Sequence, residues 1–345
     1  NLACRLNGLF DEMEALQTKE ARLTKALDKI ETLIQHNEAG ADTWLPLEYE
    51  LNLTYGDDIS NMSEYTRRLR DLVRQESERI ISEKPLGDKE CGSTGSHSAL
   101  DDETFEKIKA LRRELHKIPE LSGQERRTME VLKTFIREHT SLSVTDRGGW
   151  FYALHQENGA EETVVFCADM DAIKGAGNIP YHGCGHDGHS AILAGLCLLT
   201  EGRVFQKNLC FLFQPAEETG EGGNPCSRLL EELGADRVYG YHNLPGYPLG
   251  TAVMRRETIS CDTVNTPEIT DMSRMLFEQE GIPCLEAAAP FRWSEDFGWY
   301  LKKCQGMYFG IGAGEDCPDL HTPEYEFPDE VIRNAVRCLY LLAEI

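Results

Sequence analysis

The 345-residue chain carries 35 basic against 59 acidic side chains, a formal net charge of −24. That balance argues against nucleic acid, whose phosphates need a basic face, and disfavours anionic membrane surfaces. The length allows two domains; the longest apolar run, AILAGLCLL (191–199), is shorter than the ~18–20 residues of a membrane span and reads as a buried helix.

In chain order, residues 1–84 read as a small all-helical segment. Its opening, NLACRLNGLFDEMEA, carries charge too early and too evenly for a signal peptide. EARLTKALDKIETLIQHNE spaces Leu23, Leu27, Ile30 and Ile34 as an amphipathic stripe, and a second helical run, SEYTRRLRDLVRQESERIISE, starts at Ser63. Residues 85–100, rich in Gly and Ser and poor in large apolar side chains, read as a linker. DDETFEKIKALRRELHKIPE then opens a helix that Asp101 or Asp102 can cap. From about residue 145, short β-prone runs (TVVFCADMDA, NLCFLFQPAEE, RVYGYHNLP, GMYFGIGAG) alternate with helical ones (SAILAGLCLLTEG, PCSRLLEELGA). Alternation of that kind predicts an α/β fold over 101–345, a mostly parallel sheet with helices on both faces. Twelve cysteines without a paired framework favour reduced thiols and a cytoplasmic address.

Ligands of open parallel sheets sit beyond the carboxyl ends of the strands, so those ends are read together. The first of these strands ends in Asp169 and Asp171, and YHGCGHDGHSA, with Cys184, His186, Asp187 and His189, follows. The next strand ends in Gln214, Glu217 and Glu218, the third in His242, and a loop after the fourth delivers His321. Thiolate, imidazole and carboxylate together suit zinc, manganese, cobalt or nickel rather than calcium or magnesium. The pair Glu217–Glu218 divides naturally: one carboxylate binds metal while its neighbour takes a proton from the attacking water. Taken alone, a Glu–Glu pair is usually a solvated surface and a single loop histidine is usually only hydrogen-bonded; their recurrence at successive strand ends favours a metal site. His189, on the first turn of a helix, reads as a residue supporting the ligands, and His116 as structural.

Residues 103–345 resemble the M20 family of metallo-amidohydrolases, in the branch of aminoacylase-, hippurate-hydrolase- and indole-acetyl-amino-acid-hydrolase-like enzymes. The matching segments are LRRELHKIPELSGQE, ADMDA, HGCGHDGHSA, QPAEETGEGG, HNLPGYPLGT, WSEDFGWYL and HTPEYEFPDE. The resemblance implies two divalent metal ions held by Cys184, His186, Glu218, His242 and His321. It makes Glu217 the general base and leaves Asp171, Asp187 and His189 to support the ligands. The implied substrate is a small-molecule N-acyl amino acid or related linear amide. Family members carry an inserted domain of about a hundred residues that closes over the site, dimerises and supplies a further histidine. Here the chain runs through 261–267 straight on to WSEDFG, with no histidine between His242 and His321. The lid-mediated homodimer is therefore not expected, and activity is expected to be impaired. Arg255, Arg256 and Arg292 are candidates to receive a substrate carboxylate, although surface roles are the commoner fate of such cations. The N-terminal LFDEMEALQTKEARLTKALDKIETLIQHNEAG resembles the C-terminal end of HD-domain phosphohydrolases, Asp28 matching that family's last metal-binding aspartate. The competing functions are a non-catalytic metal-binding or assembly remnant and a nucleotide phosphohydrolase, the latter without its upstream ligands.

Overall fold

In the computed structural model, residues 16–39, 52–83, 100–260, 262–291, 293 and 295–345 are described. The side chain of Asp28, Arg292 and nearly all of the expected linker (85–99) lie outside the described residues. The chain divides into two compact units, Asn1–Thr94 and Gly95–Ile345.

In the first unit, α1 (Lys19–Ala39), the short α2 (Asp57–Ser60) and α3 (Glu64–Glu83) pack together. The buried stripe of α1 is Ala26, Ile30 and Leu33, set against Val73 of α3 with Tyr55 and Leu69 alongside. This corrects the expected stripe: Leu23, Leu27 and Ile34 are exposed. Both sets have helical spacing, and only the packing partner decides which one is covered. Arg70 is buried because its guanidinium donates to the carbonyls of Tyr55 (2.9 Å) and Asn52 (3.1 Å) and pairs with Asp57.

The second unit opens with α4 (Asp102–His116), whose N-cap is Asp101, accepting from the Thr104 N–H at 2.8 Å. Then come α5 (Arg126–His139), β1 (Ser143–Asp146), β2 (Phe151–His155), β3 (Thr163–Asp169), β4 (Ile173–Lys174), β5 (Pro180–Tyr181), α6 (His186–Thr200) and β6 (Asn208–Gln214). The chain continues through α7 (Gly223–Cys226), α8 (Arg228–Leu233), β7 (Arg237–Pro245), β8 (Ala252–Met254), β9 (Thr258–Ser260), β10 (Thr263–Val264) and α9 (Pro267–Gln279). It ends with β11 (Cys284–Glu286), α10 (Gly298–Leu301), β12 (Gln305–Gly314) and α11 (Val331–Glu344). The main sheet has the order β1-β2-β6-β3-β7-β12-β8-β11. Its centre, β6-β3-β7-β12, is parallel, as is β11 on β8; β1, β2 and the β12–β8 contact are antiparallel.

Side chains leave a strand alternately to its two faces, so β3 sends Val164, Phe166 and Ala168 into one core and Val165 and Cys167 into the other. The first core is roofed by α4, α5, α6, α9 and α11, the second by α7, α8 and α10. Helices therefore cover both faces, as the alternating pattern predicted. α6 is buried almost all round; Gly195 lets α4 approach, since a Cβ there would lie 2.5 Å from the Ile108 side chain. Between β9 and β10 the chain reverses in a tight antiparallel hairpin and enters α9 directly, with Pro267 in its first turn. None of the described helices is long and apolar enough to cross a membrane. The nine cysteines among the described residues are free thiols.

Candidate metal centre

The parallel strands β3, β6, β7 and β12 share one carboxyl edge, and the side chains singled out above gather there. Asp171 follows β3 and is fully buried. One of its oxygens accepts from the Ser122 hydroxyl (2.7 Å) and the Glu218 backbone N–H (3.0 Å); the other lies 3.2 Å from His186 Nδ1. Its backbone carbonyl is 3.1 Å from the same nitrogen. This fixes the ring and turns His186 Nε2 towards the carboxylates of Glu217 and Glu218, each 3.9 Å away. That Nε2 is buried and has no hydrogen-bond partner.

Gly185 precedes α6 at φ +90°, and a Cβ there would lie 2.4 Å from Asn243 Oδ1 and 2.9 Å from the Tyr325 hydroxyl. Only glycine fits such a turn at such a distance, and it allows Cys184 and His186 to face one space. Ligand atoms of Cys184, His186 and Glu218 all lie within 4.8 Å of one another. His321, held at φ +64° with its N–H on the Gly183 carbonyl, places Nε2 3.2 Å from Glu218 Oε1. His242 comes from β7; its Nδ1 donates to the Asn243 carbonyl (2.8 Å), and it forms a second group with His186 and His189. His189 lies 2.6 Å from Asn243 Oδ1 through Nε2, while its buried Nδ1 has no partner. It thus stands beside the rings of His186 and His242. Asp187 faces the other way, 2.7 Å from His116 Nδ1 and 3.5 Å from Arg112.

A third group joins Glu217 to Glu295 and Asp296. Asp296 accepts from the Gln214 amide and the Gly223 N–H, both at 2.7 Å, which ties the segment before α10 to the carboxyl end of β6. Burial, with Asp296 alongside, pushes Glu295 up to about 7, and burial pushes Asp296 up to about 6. Burial and the charge of Glu295 hold Glu217 well above the usual carboxylate range. Glu218 behaves oppositely: burial pulls it up, but the bonded His321 and nearby His186 prevail and keep it at about 2. Burial raises the Cys184 thiol to about 12 and lowers His242 to about 4. The site thus offers a neutral imidazole in His242, an ionised carboxylate in Glu218 and a Cys184 thiol that needs a cation beside it to ionise.

Sequence reasoning missed Glu125, Asn243, Glu295 and Asp296. Glu125 is buried and accepts from the backbone N–H groups of Gly123 (2.9 Å) and Ala216 (2.8 Å). It thereby holds Ala216 at φ +55°, directly before Glu217. For Glu295 and Asp296 a signal existed in WSEDFG, a second adjacent acid pair like Glu217–Glu218. Arg255 spends its guanidinium on the carbonyls of Thr258 and Ala287, and Arg256 pairs with Asp271.

The sequence profile of peptidase family M20/M25/M40 matches residues 165–345, and an HD-domain profile matches residues 1–69. Two N-acetyldiaminopimelate deacetylases are similar: that of Geobacillus thermodenitrificans is 31% identical over 47% of this chain and 46% of its own length. That of Priestia megaterium is 33% identical over 44% of each. The chain spans about half the length of the curated relatives it matches. A dinuclear metal-binding M20-family peptidase of Bacillus subtilis has the same fold, with TM-score 0.64 and 18% identity over 71% of this chain and 98% of that one.

Proposed function

Because the chain belongs to peptidase family M20/M25/M40, we propose that it hydrolyses small N-acyl amino acids or related linear amides at the strand-end site. Cys184, His186, Glu218, His242 and His321 would hold two divalent ions, of zinc, manganese, cobalt or nickel. One observation carries this: His186 Nε2, buried and unpartnered, faces Glu217 and Glu218 while Nδ1 is anchored on Asp171. An imidazole held by its far nitrogen on a carboxylate, with the near nitrogen free, is the arrangement a metal-binding histidine takes. Bound ions would supply Lewis acidity, polarising the amide carbonyl and making water easier to deprotonate.

The remaining chemistry belongs to the chain. Glu217 takes the proton of the attacking water and returns it to the leaving amine, and its raised proton affinity makes it a stronger base than a free carboxylate. Asp171 and the Asn243 carbonyl keep His186 and His242 in their orientations. Glu218, ionised and paired with His321, stays a ligand rather than a proton carrier. The acetylated amine that names the relatives makes N-acetyl amino acids the first substrates to try.

The test compares metal content and amidase turnover of the full chain with those of E217Q and E218A. E217Q should lose about 10²–10⁴ in turnover while keeping its metal, since it removes only the proton acceptor. E218A should lose metal. Equal metal loss in both would overturn the division of roles.

A further inference from the structure

The first unit holds a pocket that the proposed amide chemistry does not use. It measures about 170 Å³, far above the ~10–15 Å³ that one water needs, and lies between α2 and α3. Its lining is polar: Asp57 and Ser60 come from α2, and Arg67, Arg70, Asp71 and Arg74 from α3. Spacings of three and four residues put those α3 side chains on one side of the helix. Three guanidinium groups against two carboxylates leave one positive charge there, in a chain whose net charge is −24.

Contacts within the unit account for only part of this lining. Arg74 donates to the Leu53 carbonyl (2.9 Å) and pairs with Asp57 at 2.5 Å, while Arg70 uses Nε and Nη2 on the carbonyls of Tyr55 and Asn52. Those bonds fasten the residues before α2 to α3. They leave Arg70 Nη1 without a hydrogen-bond partner, although the side chain is only 2% exposed. The buried Ser60 hydroxyl has none either. Arg67 is half exposed and reaches Asp71 only at 3.7 Å. A buried donor left unmade is costly, and a charged one more so than a neutral one. Burial, with the Arg74 charge alongside, pulls the Arg70 guanidinium below its ordinary range against the opposing pull of Asp57. A bound anion supplies the missing acceptor and offsets the repulsion between the arginines. Guanidinium forks combined with a hydroxyl suit an oxyanion with acceptors on several sides. A carboxylate fits less well, because two oxygens in one plane satisfy one fork rather than three.

We propose that this pocket binds a phosphate group, free or carried on a small ester, through Arg67, Arg70, Arg74 and the Ser60 hydroxyl, with Asp57 and Asp71 limiting the affinity. The site is independent of the strand-end centre, so its failure would leave the hydrolase reading untouched.

The test is isothermal titration of the full chain as purified, with inorganic phosphate, glycerol 3-phosphate and acetate. Phosphate or the ester should bind more tightly than acetate, and the tighter of the two shows whether the group is taken free or esterified. S60A removes a hydroxyl that makes no hydrogen bond, and R67Q an exposed cation with one distant ion pair, so both should melt like the parent. Each should weaken phosphate about tenfold or more, the worth of one hydrogen bond to a charged group. Phosphate taken up at the strand-end centre is common to parent and variants and cancels in that comparison. D71N, which frees Arg67 and Arg74 of a competing carboxylate, should tighten phosphate, and R256Q, in the second unit, should leave it unchanged. Three results would overturn the proposal: no phosphate binding at millimolar concentration, an affinity that survives both S60A and R67Q, or acetate losing as much in these variants as phosphate does. The arginines would then serve only to fasten the residues before α2 to α3.

Discussion

Asp171 makes the strongest single-residue claim on the site. It holds the ring of His186, the hydroxyl of Ser122 and the backbone N–H of Glu218 at once. Burial raises its proton affinity, yet those hydrogen bonds prevail and keep it below the usual carboxylate range, so it stays an anion inside the protein. Replacing it should free the His186 ring and the 216–218 turn together. D171A is expected to weaken metal binding by about 10–100-fold, measured by competition with a chromogenic chelator; unchanged affinity would mean the ring is oriented by its other contacts. At this scale the sequence was legible wherever chemistry repeated at strand ends, as with Cys184, His186 and Glu218. It was silent on Glu125 and Asn243, which act through hydrogen bonds to backbone or rings brought near only by folding. His189 was legible as a neighbour of the site from its place on the helix, but its partner Asn243 was not, because another strand brings it there.

Among the elements, the four parallel strands were readable because strands covered on both faces are apolar throughout, and β3 is buried at every position. The three-residue β8 and β11 were not, since their pairing comes from neighbours rather than from their own pattern. PCSRLLEELGA, expected as one helix, is two short ones, α7 and α8, meeting at Ser227. Contacts between elements also carry a pH signature. Lys133 of α5, its side chain 4% exposed, reaches Asp146 of β1 and Glu130, each at 2.5 Å. The bonds from Lys133 and the Gly148 N–H hold Asp146 below its ordinary range. A depressed carboxylate stabilises the fold above its unfolded value of about 3.9 and loses that contribution as pH falls through the folded value. D146N should therefore lower the melting temperature at pH 7 by an amount equivalent to up to ~1 kcal/mol, the pair being partly solvated. The gap between the two proteins should close as pH drops below about 4. A gap that persisted at pH 2 would assign the loss to packing rather than charge.

At the scale of the whole molecule, the question is what a centre of this kind can do when the chain passes from the β9–β10 hairpin into α9 without an intervening domain. The proposed ligands and Glu217 all come from the carboxyl edge of the sheet, so the means to activate water does not depend on a lid. Stabilising the oxyanion and closing over the substrate are separate tasks. The described residues bring no histidine from the hairpin region, because none lies between His242 and His321 in sequence. Loss of one oxyanion donor costs on the order of 10²–10³ in kcat. Loss of positioning costs at least as much again, given that orientation supplies up to ~7–11 kcal/mol of an enzyme's advantage. Were both deficits to apply, a typical kcat of ~10 s⁻¹ would fall to about 10⁻³ s⁻¹ or less. The full chain, loaded with manganese or zinc, is therefore expected to bind its ions and to hydrolyse N-acetyl and N-benzoyl amino acids only at that level. Steady-state assays with E217Q as the blank measure the difference directly. Turnover near one per second would mean that the strand-end site alone suffices and would overturn the expectation.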